Sequence, residues 1–145
     1  MIPLAVLIVA LLLFGGLGAL GVWLFLSWQA CALWALAVML LFTASAHFTS
    51  TKEDLIKMVP SQLPFLRQLV FITGLLEILG AIGLLIPQVR PAAGICLALL
   101  FVALLPANIH AALNQVPLRG RPATPLWLRV PMQLLLIGLA LWALW

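Results

Sequence analysis

The sequence predicts an all-α membrane protein, a single domain built as a transmembrane helical bundle, and three observations predict it. Of 145 residues, 66% are hydrophobic and only 7% are charged. Mean hydropathy is +1.30. Long apolar stretches alternate with short polar breaks along the whole chain. A water-soluble domain needs a charged surface that this composition does not supply.

Spanning a bilayer takes on the order of 20 predominantly apolar residues. Five stretches qualify: Ile2–Leu26, Gln29–Phe48, Phe65–Ile86, Ala92–Leu113 and Leu126–Trp145. The first is not read as a secretory signal. It lacks a basic start, and its apolar run is too long for a signal core of roughly 7–15 residues. Trp28-Gln29-Ala30-Cys31 also lacks the small residues that precede a lipoprotein cysteine, so the stretch is expected to be a retained span. Ser27-Trp28-Gln29 then makes the first connection a tight hairpin. Pro87-Gln88-Val89-Arg90-Pro91 is a short turn with proline at both ends. The other two connections, Thr49–Pro64 and Asn114–Pro125, are longer.

Charge sets the expected orientation. With the N-terminus in the cytoplasm, the two long loops and their edges hold Lys52, Lys57, Arg67, Arg119, Arg121 and Arg129, leaving only Arg90 outside. That bias follows the positive-inside rule. Trp23, Trp28, Trp142 and Trp145 fall near the outer interface and Trp127 near the inner one, where indole rings settle. The N-terminus is expected inside and the C-terminus outside. The net charge of +4 is dispersed, with no basic cluster to grip nucleic acid. Two cysteines, Cys31 and Cys96, support neither a disulfide framework nor a thiolate metal site.

Inside the Thr49–Pro64 connection, Ser50 followed by Glu53 fits a capping box, with Glu53 and Asp54 in the first turn. Leu55, Ile56, Met58 and Val59 supply an apolar side before Pro60. A short interfacial helix over residues 51–59 is expected there, with an ordered loop as the alternative. Glycines cluster in the first span (Gly15, Gly16, Gly18, Gly21) and in the third (Gly74, Gly80, Gly83, with Ala81). They are read as close-packing positions and not as chemistry.

Polar groups at membrane depth carry the functional reading, because each costs several kcal/mol unless paired, hydrated or neutralised. Glu77 lies twelve residues beyond Phe65, roughly 18 Å along a helix and close to the midplane. Thr73 precedes it by one turn, and Gly74, Gly80 and Ala81 share that side. Thr43, His47 and Ser50 form a stripe at the end of the second span. Pro106-Ala107-Asn108-Ile109-His110 ends the fourth, and Arg129 with Gln133 begins the fifth. These groups outline a polar funnel open to the cytoplasm. Asn108 and His110 are roughly 200° apart on a regular helix, so only one of them faces the interior, and Pro106 blurs which. Two histidines on different helices are also the pattern of a b-type haem or metal site. No carboxylate stands at their depth except Glu53 or Asp54 in the adjacent loop, so neither haem nor metal is expected.

From about Ala37 onward the chain resembles the DoxX-like membrane proteins, in particular their small bacterial branch. The resemblance is carried by His47-Phe48, Met58-Val59-Pro60 with Leu63-Pro64, and Thr73-Gly74-Leu75-Leu76-Glu77-Ile78-Leu79-Gly80. It continues through Leu85-Ile86-Pro87 with Arg90, Pro106-Ala107-Asn108-Ile109-His110, and Arg129-Val130-Pro131-Met132-Gln133. It implies a four-helix core with an extra N-terminal span, an inner-membrane location and an association with redox processes. It carries over His47, Glu77, Asn108, His110, Arg129 and Gln133 as motif positions.

Two functions are weighed on these residues. The first is a redox-associated protein that binds a small apolar ligand, a quinone or another lipid, among Glu77, Thr73, His47, Asn108 or His110, Gln133 and Arg129. The second is a non-enzymatic assembly protein whose glycine faces and Glu77 meet a membrane partner or a second copy. An independent enzyme is not expected. A transporter is disfavoured, since one small chain without a repeat has little room for alternating access.

Overall fold

The computed structural model describes residues 2–142 and is all-helical. Six α-helices follow in order: α1 (Ile2–Ala19), α2 (Trp28–Phe48), α3 (Lys52–Met58), α4 (Leu66–Leu85), α5 (Arg90–Leu113) and α6 (Leu126–Trp142). Four of them, α1, α2, α4 and α5, are long and apolar enough to cross a membrane. Over its described residues α6 is shorter, 17 residues or roughly 25 Å. The last residues of the expected fifth span, 143–145, lie outside the described part.

The first helix stops well before Leu26, which corrects the expected span. Gly21 adopts φ 86°, its N–H donates to the Gly18 carbonyl (3.0 Å), and the Val22 N–H donates to the Leu17 carbonyl (3.1 Å). This pair of bonds is a Schellman stop, which favours glycine at the left-handed position. The chain then folds back through a 3-10 turn, Trp23–Phe25. A Cβ on Gly18 would collide with the Phe25 carbonyl, so that glycine admits the return. Phe25 stacks on Phe14 at 4.7 Å and meets Trp34 edge-on at 6.0 Å. Gly16, expected to pack, has no neighbour within 4 Å of where a Cβ would sit. Ser27 caps α2 by accepting from the Ala30 N–H at 3.1 Å.

The capping box of α3 is a second correction. Thr51, not Ser50, is the cap, in helical conformation and without a side-chain bond. The Thr51 carbonyl takes the N–H groups of Asp54 and Leu55, while Glu53 reaches out to Arg67 at 3.5 Å. The helix starts one residue later than a Ser50 cap requires, so Ser50 and Glu53 are out of register for the box.

The long helices pack in series: α1 on α2, α2 on α4, α4 on α5, and α5 on α6. The backbones of α2 and α6 are not closely packed, and the space between them becomes a cavity. Small residues set the tight contacts. A Cβ on Gly74 would lie 2.5 Å from the Cβ and 2.7 Å from the Cγ of His47, and Gly80 and Gly83 meet Leu97 and Ala93 in the same way. We expect Gly74→Ala to cost about 1–3 kcal/mol by overpacking this α2–α4 seam. Thermal unfolding in detergent checks it, and an unchanged midpoint would contradict the tight contact.

The polarity of the bundle is inverted relative to water-soluble folds. Phe71, Ile72, Leu75, Leu76, Leu79 and Ile82 of α4 and Val9, Leu12 and Leu13 of α1 are exposed, whereas His47, Glu77, Arg129 and Gln133 are buried. An apolar exterior of this extent is far beyond what a monomer in water presents.

Candidate functional site

Three helices each place a polar pair one turn apart, so that both members point the same way. These are Thr43 and His47 on α2, Thr73 and Glu77 on α4, and Arg129 and Gln133 on α6. Glu77 is 5% exposed. Its Oε2 accepts from the Thr43 hydroxyl at 2.7 Å, and its Oε1 lies 3.7 Å from His47 Nε2. On the far side of the ring, His47 Nδ1 lies 2.6 Å from the Val70 carbonyl. Since a carbonyl only accepts, Nδ1 carries a proton. Thr73 donates to the same carbonyl at 3.0 Å and touches Nδ1 at 3.3 Å. With Nδ1 committed to that carbonyl, Nε2 is the ring nitrogen that faces the Glu77 carboxyl.

A second cluster joins α5 and α6. Arg129 Nη1 donates to Asn108 Oδ1 at 2.9 Å, and Asn108 Nδ2 donates to Gln133 Oε1 at 3.2 Å. Gln133 Nε2 donates to the Phe101 carbonyl at 2.7 Å, and Arg129 Nε to the Thr124 carbonyl at 3.3 Å. Both helices carry an internal proline beside this chain of bonds, Pro106 and Pro131. Among the described residues, no buried side-chain nitrogen or oxygen lacks a partner.

Between the clusters lies a cavity of about 420 Å³. Thr43, His47, Thr73, Glu77, Asn108, Arg129 and Gln133 line it, with apolar walls from Met39, Leu40, Phe101, Leu104 and Leu136. Leu55, Met58, Val59 and Leu63 from α3 and its exit, with Leu118, Arg119 and Arg121 from the loop before α6, surround one end. The volume is within the range of small-molecule sites, as is the mixture of apolar walls with a few convergent polar groups.

The ambiguity between Asn108 and His110 resolves in favour of Asn108. His110 does not line the cavity: its Nδ1 lies 3.0 Å from the Met58 carbonyl and ties α5 to the end of α3. Its inclusion among the ligand-contacting candidates is corrected accordingly. Ser50, third in the α2 stripe, is exposed. Thr43 belongs to the site although it was only a stripe member in the sequence, and its spacing from His47 was the available signal. Arg119 and Arg121, which read only as topology charges, reach the cavity from the loop. Arg119 also stands over the Phe42 ring, 5.2 Å from its centroid.

A family model described as Domain of unknown function (DUF8561) matches residues 36–144. The matched range holds every polar residue of both clusters and excludes α1. No curated protein and no solved structure matches the chain.

Proposed function

The chain belongs to the family Domain of unknown function (DUF8561), and we propose that it is an integral membrane protein that binds a small apolar ligand, a quinone or another lipid, in the cavity around Glu77. One observation carries this reading: a cavity of about 420 Å³ with apolar walls ends on two internally bonded polar clusters, inside a bundle whose exterior is apolar. Polar side chains at such depth are costly, and those retained there are read as functional by default. The Glu77–His47 pair offers a ligand a hydrogen-bond partner and a group that can give or take a proton.

In this reading the lipid bilayer surrounds the apolar faces of α1, α2, α4, α5 and α6. The N-terminus is cytoplasmic and the C-terminus external in a bacterial inner membrane, and the cavity opens toward the arginine-rich cytoplasmic side. The association with redox chemistry rests on the resemblance to DoxX-like proteins. The assembly reading draws less support, because Gly74, Gly80 and Gly83 are taken up against His47, Leu97 and Ala93 within the bundle. Of the first-span glycines that reading invokes, Gly16 on α1 has no neighbour within 4 Å of where a Cβ would sit.

Protein purified in mild detergent and extracted into organic solvent is expected to release a stoichiometric quinone or lipid, identified by mass spectrometry, and Glu77→Gln is expected to lower that content. Wild-type protein that is ligand-free and takes up neither class would overturn the reading. Unchanged ligand content in Glu77→Gln, together with loss of a co-purifying membrane protein, would favour assembly.

A further inference from the structure

Arg129 is 7% exposed and sits in the first turn of α6, where the helix dipole disfavours a cation. A buried guanidinium normally stands against a carboxylate. The chain has three acidic residues, and each is engaged elsewhere: Glu77 with His47, Asp54 with Lys57 and the Arg119 N–H, and Glu53 with Arg67. Among the described residues no carboxylate lies within 4.0 Å of Arg129. Its partners are neutral oxygens, those of Asn108 and Thr124, and its Nη2, which makes no hydrogen bond, is not fully enclosed. Gln133 in turn holds Asn108 from behind, so the guanidinium is fixed while Nη2 and one Nη1 proton remain to be given. Arg119 and Arg121 add two more cations to the lining, and the cavity's one carboxylate is already paired. The field inside is therefore positive.

We propose that the cavity takes a single-chain amphiphile whose head is an anion, a carboxylate or a phosphate monoester, with Arg129 as its principal contact. This rests on the binding reading above and narrows it. The planar fork of arginine matches both head groups. The anion sits at Arg129 and not at Glu77, whose carboxyl oxygens already face Thr43 and His47. Size selects one chain. A cavity of about 420 Å³ lies in the lower part of the range for small-molecule sites, which suits one chain with a small head better than two acyl chains. Met39, Leu40, Leu104 and Leu136 provide the apolar wall for the tail.

The test is native mass spectrometry of the full chain in non-ionic micelles, titrated with dodecanoate, monododecyl phosphate, dodecanol and decylubiquinone. At least one anion is expected to bind about tenfold or more tighter than dodecanol. The tighter of the two anions separates a fatty-acid head from a phosphate head. Arg129→Gln is expected to erase the preference while retaining dodecanol binding. Arg67→Gln, which removes the same charge from an exposed site outside the cavity, is expected to keep it. Should Arg129→Gln fail to fold, the wild-type and Arg67→Gln comparisons still decide. Dodecanol or decylubiquinone binding as tightly as both anions would overturn this inference and leave the broader reading standing. So would a preference lost equally in Arg67→Gln. Binding of none of the four probes would defeat both.

Discussion

Glu77→Ala is expected to destabilise the bundle by about 3–5 kcal/mol, because it strands a buried partner. His47 would keep the Val70 carbonyl on Nδ1 but lose the carboxyl that faces its Nε2. The double variant Glu77→Leu with His47→Leu should behave differently. With both polar groups gone, the Thr43 hydroxyl can turn fully to the Leu40 carbonyl, and Thr73 keeps the Val70 carbonyl. Replacing a buried pair by apolar residues of similar size is commonly neutral or stabilising, so the double variant should lie within about 1 kcal/mol of wild type. Unfolding midpoints of the three proteins in one detergent make the comparison. The double variant should also lose ligand, and that separates what the pair does for binding from what it does for folding. A cost below about 1 kcal/mol for Glu77→Ala would mean that the pair is solvated and not enclosed.

The second large effect concerns the cavity itself. Leu104 is half-buried on its wall, and Leu104→Trp places an indole where a ligand would lie. Binding is expected to fall about tenfold or more, while the empty protein is as stable as wild type or more so, since the ring fills space that otherwise has no contacts. The cleanest reading is the ligand-induced shift in unfolding. A ligand at a hundredfold excess over its Kd stabilises wild type by about 2.7 kcal/mol, and at the same concentration a tenfold or greater loss of affinity should cut that shift to about 1.4 kcal/mol or less in the variant. A variant that still shifts fully would place the binding site elsewhere.

Helix periodicity and depth carried the sequence reading a long way. Glu77 stood out as a carboxyl within a span, and the one-turn spacings of Thr43 with His47, Thr73 with Glu77 and Arg129 with Gln133 are properties of a helix that need no tertiary structure. What escaped depended on contacts between segments distant in sequence. Gly21 ends α1 because a left-handed residue there closes a Schellman stop, yet in the sequence it is one of four glycines in an apolar run. Ser50 and Glu53 have the spacing of a capping box, but α3 starts at Lys52 and Glu53 turns to Arg67. Asn108 and His110 differ by the helix each faces: Gln133 and Arg129 of α6 hold Asn108, and the end of α3 holds His110. The arginines of the loop before α6 reach the cavity only because that loop folds back toward the bundle, where the Arg119 N–H donates to Asp54 at 3.0 Å.

The ligand site we propose is the space between the α2–α4 and α5–α6 clusters. A high-resolution structure of the protein in nanodiscs formed from its own membrane, without added detergent, tests it most directly. Elongated density is expected among Leu40, Leu104 and Leu136, ending in hydrogen-bond reach of Arg129. A cavity closed by its own side chains, or one that holds only water beside Glu77 and Arg129, would contradict it.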